Sequence, residues 1–70
     1  MMERQPVSSS SIASIGYEEV TQTLEVEFVD NSLYQYLNVP PNIYDELMAA
    51  PSQGAFLNAN VKNQYAYERL

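Results

Sequence analysis

The sequence predicts an α+β fold, a three-stranded antiparallel β-meander with two short C-terminal helices packed on one face. Three observations predict it. The first half alternates apolar and polar residues at a period of two, most clearly in "TLEVEFV" (residues 23–29), as the pleat of a half-buried strand requires. Two adjacent prolines, Pro40 and Pro41, then interrupt the pattern. After them apolar residues recur every three to four positions, which is the helical period. Strands first and helices afterwards give an antiparallel sheet with the helices segregated to one side.

Residues 1–10, "MMERQPVSSS", are polar, serine-rich and unpatterned. They predict a mobile tail, because such a stretch cannot repay its ordering entropy. The serines Ser8–Ser11 have no nearby general base and read as linker. Residues 11–70 predict a single domain. In "IASIGY" (12–17), Ala13, Ile15 and Tyr17 alternate with smaller or polar residues, which predicts the first strand. "EEVTQ" reads as a turn. In the second strand, "TLEVEFV", Leu24, Val26 and Phe28 point one way and Glu25 and Glu27 the other. "DNS" follows, whose Asp30 and Asn31 tolerate the left-handed conformation of a hairpin turn. "LYQYLNV" (33–39) is the third strand, rich in β-formers.

Pro41 suits the first turn of a helix, where no amide donor is missed. In "NIYDELMAA" (42–50), Ile43, Tyr44, Leu47, Met48 and Ala50 share one broad face, with Asp45 and Glu46 toward the positive N-terminal end. Pro51 stops this helix. Ser52 is placed to cap a second one reaching to about Lys62, with Phe56, Leu57, Asn60 and Val61 on one side. "NQYAYERL" (63–70) packs its aromatic residues back on the body. The expected core contains Leu24, Val26, Phe28, Tyr44, Leu47, Phe56 and Val61.

Hairpin register decides where Tyr34 and Tyr36 point, since a slip of one residue exchanges the faces of a strand. A three-residue loop, for which Asp30–Asn31–Ser32 is the natural choice, puts both rings with Val26 and Phe28. A tight Asp30–Asn31 turn puts them with Glu25 and Glu27 on the solvent side, where they would form an aromatic stacking platform among carboxylates.

Composition excludes several classes of function. The chain has 70 residues, no cysteine and no histidine. It therefore lacks disulfides, thiolate ligands and the commonest metal ligand and acid–base catalyst. Net charge is -6, and Arg4, Lys62 and Arg69 are the only cations. Such an acidic surface repels a polyanion. No apolar run is long enough to span a bilayer, and the start lacks the apolar stretch of a secretion signal, so the chain reads as cytoplasmic. A core this thin with no staple predicts help from a protein partner or from self-association, with a homodimer as the simplest form.

Taken together, "IASIGY", "TLEVEF", "YQYLNVPPNIYDEL" and "SQGAFLNANVKNQYAYERL" resemble the KTSC domain, named for the C-terminus of certain lysyl-tRNA synthetases and also found alone in bacterial and phage proteins. The resemblance covers nearly everything after Ser11. It rests on the central Tyr34-x-Tyr36, on Val39-Pro40-Pro41 at the helix start, on Ser52, Gly54, Phe56 and Asn58, and on Tyr65-x-Tyr67. It implies RNA binding as a suggested role. Relatives commonly carry cations around these motifs, whereas Gln35, Gln53, Ala55, Asn63 and Gln64 are neutral here, so charge disfavours an RNA or nucleotide ligand.

The paired carboxylates Glu25 with Glu27 and Asp45 with Glu46 are the candidates for acid–base work or Mg²⁺. Strand alternation and helix charge account for them, and nothing converges with them. The sequence thus predicts a non-catalytic binding or adaptor module with no cofactor and no metal site. Its candidate ligand-binding residues are Tyr34, Tyr36, Asn58, Lys62, Tyr65, Tyr67 and Arg69.

Overall fold

Two strands that apolar alternation does not reveal flank the expected three. A computed structural model describes residues 3–70, so Met1 and Met2 of the expected tail lie outside the described residues. The elements are β1 (Arg4–Pro6), β2 (Ile12–Glu18), β3 (Thr23–Phe28), β4 (Leu33–Tyr36), α1 (Pro41–Ala49), α2 (Gln53–Asn60) and β5 (Tyr67–Arg69). They form one five-stranded antiparallel sheet in the order β1-β2-β3-β4-β5, with both helices inserted between β4 and β5. The expectation of three strands is corrected to five. β1 lies in the segment read as a mobile tail, and β5 in the segment read only as packing its aromatic residues back on the body. Both are three residues long and pair with a single neighbour, too short to show a period.

In β2 the register slips between Ile12, opposite Phe28, and Ser14, opposite Glu27. This bulge inserts one extra residue, so Ile12 and Ile15 both reach the core although three positions separate them. Simple alternation instead expected Ala13 inside. Tyr17 stacks on Tyr44 of α1 at 4.8 Å and donates its hydroxyl to the Val39 carbonyl, which ties the sheet to the helix layer. Burial raises the pKa of that hydroxyl, and Glu19 and Asp45 add to the effect.

Proline at the first position starts α1, as expected, and Ala50 and Pro51 end it. Its first turn contains no acid. Asp45 and Glu46 sit further along, where the N-terminal dipole has largely faded. Ser52 caps α2 by accepting from the Ala55 amide at 3.3 Å.

The core comprises Ile12, Ile15, Leu24, Val26, Tyr36, Val39, Leu47, Leu57 and Val61. Of the residues expected there, Phe28, Tyr44 and Phe56 are only half-buried and pack against its margin. Phe28 sits at the end of β3 beside the hairpin loop, at the margin of the core and under Lys62. Phe28→Ala should accordingly cost about 1–3 kcal/mol in a denaturant melt, below the ~3–5 of a fully buried ring.

Candidate functional site

The β3–β4 hairpin builds the site. Its loop is Val29–Asn31, closed by Phe28 N–H donating to the Ser32 carbonyl at 2.9 Å. Asn31 adopts φ 72°, the left-handed conformation that ends a three-residue loop. Asp30 Oδ1 accepts from the Ser32 hydroxyl at 2.6 Å and from its amide at 3.0 Å. These bonds, the hydroxyl's first, hold the Asp30 carboxyl below its ordinary range. The loop thus has the expected three residues but begins one residue earlier than Asp30. Val26 faces Tyr34 and Leu24 faces Tyr36, so both tyrosines lie on the helix side and not among the glutamates.

β5 then sets Tyr67 opposite Tyr36 and Arg69 opposite Tyr34. The three rings form one cluster. Tyr34 and Tyr36 stack at 6.3 Å, and Tyr67 tilts against them at 5.6 and 5.8 Å. Phe28 meets Tyr34 edge-on at 5.6 Å. Tyr36 is the base of the cluster at 2% exposure, Tyr34 is half-buried, and Tyr67 is 56% exposed. Burial, then proximity to Tyr34 and Tyr67, pushes the Tyr36 hydroxyl above its usual pKa.

Above these rings a cleft of about 550 Å³ opens, walled by Phe28, Tyr34, Tyr67, Lys62 and Asn63 with Asp30 at the rim. Its size is that of a small-molecule or side-chain pocket. Two cations cover the aromatic walls. Lys62 Nζ lies 5.2 Å from the Phe28 ring centre, and the Arg69 guanidinium lies 5.7 Å from that of Tyr34, both within cation–π range.

Five of the seven candidate residues therefore meet: Tyr34, Tyr36, Lys62, Tyr67 and Arg69. The other two do not. Asn58 lies in a separate shallow depression between the start of α2 and Ser8–Ser11. Tyr65 is half-buried against the core. Phe28 and Asp30 are the members that sequence reasoning missed. Phe28 was assigned wholly to the core, and Asp30 only to a turn; the loop's true start was the missing signal.

The opposite face of the sheet carries the third cation. Arg4 forms an ion pair with Glu25, and its Nε donates to Ser14 Oγ at 3.0 Å. Gln35 Nε2 donates to the other Glu25 oxygen at 2.9 Å. Glu25, expected on a solvated face, is only 6% exposed. Burial alone would raise its pKa, but hydrogen bonds from Gln35 and Arg4 and the charge of Arg4 outweigh that and lower it. Among the described residues, no group of three or more side chains of the metal-ligating types comes together. Among the described residues, no helix is long and apolar enough to cross a membrane.

The family model of the KTSC domain matches residues 8–65. This chain belongs to the KTSC domain family. The crystal structure of a KTSC domain protein from Yersinia pestis superposes with a TM-score of 0.96 at 40% identity, covering 100% of this chain and 99% of that one. An uncharacterized protein of Stutzerimonas stutzeri is 43% identical over 70 residues, 99% of either chain. A lysine–tRNA ligase of Nostoc punctiforme is 41% identical over 61 residues, which are 87% of this chain but 11% of the ligase. A KTSC domain thus accounts for nearly all of the first two proteins and for a small part of the third. Both edge strands, β1 and β5, fall outside the residues that the family model matches.

Proposed function

We propose that this KTSC domain is a non-catalytic cytoplasmic binding module that works through protein contacts, and that the cleft beside β5 receives an acidic segment of the partner. The supporting observation is the sorting of charge. In a chain of net charge -6, two of the three cations stand over rings of one aromatic cluster, Lys62 in the wall of the cleft and Arg69 over Tyr34. A local positive site on an acidic body selects an anion with few charges and repels a long polyanion. Tyrosine and arginine around a desolvated floor are also the side chains that dominate protein interfaces. Asp30, the one carboxylate on the cleft wall, is held in its ionised form, which makes it a poor general base at neutral pH.

The partner class is testable with displayed random peptides. Binders should be enriched in Asp and Glu, and Arg69→Gln and Lys62→Gln should each weaken the selected peptide several-fold with little change in melting temperature, as removal of one exposed, solvent-screened charge partner does. Binders without acidic residues would refute the reading.

RNA or a single nucleotide is the second reading, favoured by the adjacency of tyrosine rings and two cations. Stacking adds about 1–3 kcal/mol per base, but only on an exposed ring, and Tyr36 is buried. Micromolar affinity for mixed single-stranded RNA that collapses with added salt would establish this alternative in place of the first.

A further inference from the structure

The outer face of the sheet contains a built receptor for an arginine. Its four parts come from β2, β3 and β4: Ser14, Glu25, Glu27 and Gln35. Glu25 is nine-tenths buried and oriented by Gln35, and Ser14 Oγ donates to Glu27 Oε1 at 3.0 Å. Arg4 fills this receptor, with its second guanidinium nitrogen 4.0 Å from Glu27. A desolvated carboxylate of this kind needs a cation. The receptor is therefore incomplete without β1, yet no part of it belongs to β1.

The arm that supplies the arginine is lightly held. β1 pairs only with β2, through Arg4 opposite Gly16, Gln5 opposite Ile15 and Pro6 opposite Ser14. Gln5 and Pro6 are exposed. The chain reverses between Pro6 and Ile12 through the serine-rich segment 7–11, where the Ser9 hydroxyl accepts from the amides of Ser11 and Ile12 at 3.3 and 3.2 Å. Val7 is the residue of this link that packs against the core. A short edge strand on a polar hinge, with a specific receptor on the body, has the ingredients of strand exchange, because every native contact can be remade with another chain.

We propose that the occupant of this receptor in trans is the Glu3–Pro6 arm of a second copy, so that two chains exchange arms and each Arg4 pairs with Glu25 of the other chain. Both arrangements use the same hydrogen bonds and the same ion pair. Concentration and the ease of opening the 7–11 reversal decide between them. The inference rests on reading the domain as a protein-contact module, and it names one partner by chemistry: an extended segment that presents an arginine to the free edge of β2. It does not involve the cleft.

The absence of cysteine from the chain allows a direct test. Val7→Cys with Ala13→Cys places two thiols at the next opposed position of the same ladder, where the Val7 amide donates to the Ala13 carbonyl at 3.2 Å, within disulfide reach and with all four receptor residues left in place. Oxidised at low micromolar concentration, the double variant should cross-link within one chain. Oxidised at several hundred micromolar, it should also give a covalent dimer on a non-reducing gel. Mixing an Arg4→Glu chain with a Glu25→Arg chain, both carrying the cysteine pair, should raise the mixed covalent dimer several-fold over either chain alone. Neither can complete its own receptor, and each supplies the charge the other's receptor lacks. Melting curves identify the variants that remain folded. Intramolecular cross-links at every concentration, or a mixed dimer no more abundant than that of either chain alone, would overturn the exchange. Sedimentation of the unmodified chain separates this failure from that of the broader reading: a dimer in the centrifuge whose cross-links stay within one chain preserves self-association and removes arm exchange.

Discussion

Tyr36→Ala should lower stability by about 3–5 kcal/mol, whereas Tyr34→Ala, two residues away, should cost less than half as much. Tyr36 is 2% exposed, opposes Leu24 on one side and Tyr67 on the other, and carries the stacked ring of Tyr34 above it. Its removal leaves a cavity under the whole aromatic cluster, which the backbone of a central ladder cannot collapse to fill. A domain of this size has roughly 4–10 kcal/mol in total, so the variant should be close to unfolding at 37 °C. Tyr34 is half-buried and borders the open cleft, and water can replace part of its ring. Urea melts check the pair: the midpoint falls steeply for Tyr36→Ala and modestly for Tyr34→Ala, with a similar denaturant slope. Equal midpoints would show that Tyr34 and Tyr36 share one environment.

Arg4→Ala has the second largest expected effect, about 2–3 kcal/mol at neutral pH. Removing one member of a fully buried ion pair costs about 3–5 kcal/mol. The Arg4 side chain is 30% exposed against 8% for Glu25, so solvent screening lowers the figure. The pH dependence has a definite sign. The folded-state pKa of Glu25 lies below its ordinary value of 4.5. The stability it contributes is therefore present above that value and is lost as pH falls toward the folded-state pKa. In Arg4→Ala the burial and the Gln35 hydrogen bond persist, but both contributions of Arg4 disappear, so the folded-state pKa rises. The gap in melting temperature between wild type and variant should narrow between pH 7 and pH 4. Adding Glu25→Gln to Arg4→Ala should recover part of the loss at pH 7, because no bare carboxylate is then buried. A gap independent of pH would show that Arg4 acts by packing alone.

Arm exchange and the cleft place the two sheet edges in different roles. β1 is blunted by Pro6 and carries the arginine that pairs with Glu25, whereas β5 carries Tyr67 to the wall of the cleft and Arg69 over the Tyr34 ring. Both strands are among the least buried parts of the fold, and each supplies a residue that completes a site built by its neighbours.

The α+β class, the central meander and both helices were legible in the sequence because their signals are local. Alternation in β3 needs only six consecutive residues, Pro41 and Pro51 bracket α1, and Ser52 supplies the oxygen that caps α2. The resemblance to the KTSC domain was legible for the same reason, since its motifs are short and ordered along the chain. Tyrosines at 34 and 36 were recognisable as important, but their side of the sheet hung on whether the hairpin loop holds three residues or two. Only the ladder, with Val26 opposite Tyr34, decided it. The β2 bulge, which brings Ile12 and Ile15 inside together, likewise depends on the partner strand.

Tertiary structure alone assembled the two sites. Lys62 meets Phe28 across 34 positions and Arg69 meets Tyr34 across 35. Arg4 and Glu25 are separated by 21 and join through β1, which has too few residues to announce itself as a strand. The burial of Glu25 followed from that pairing, although alternation had placed it in solvent. Periodicity reports how each segment faces its surroundings. What those surroundings are is set by contacts between distant segments, whose free energies are gained only when the sheet closes.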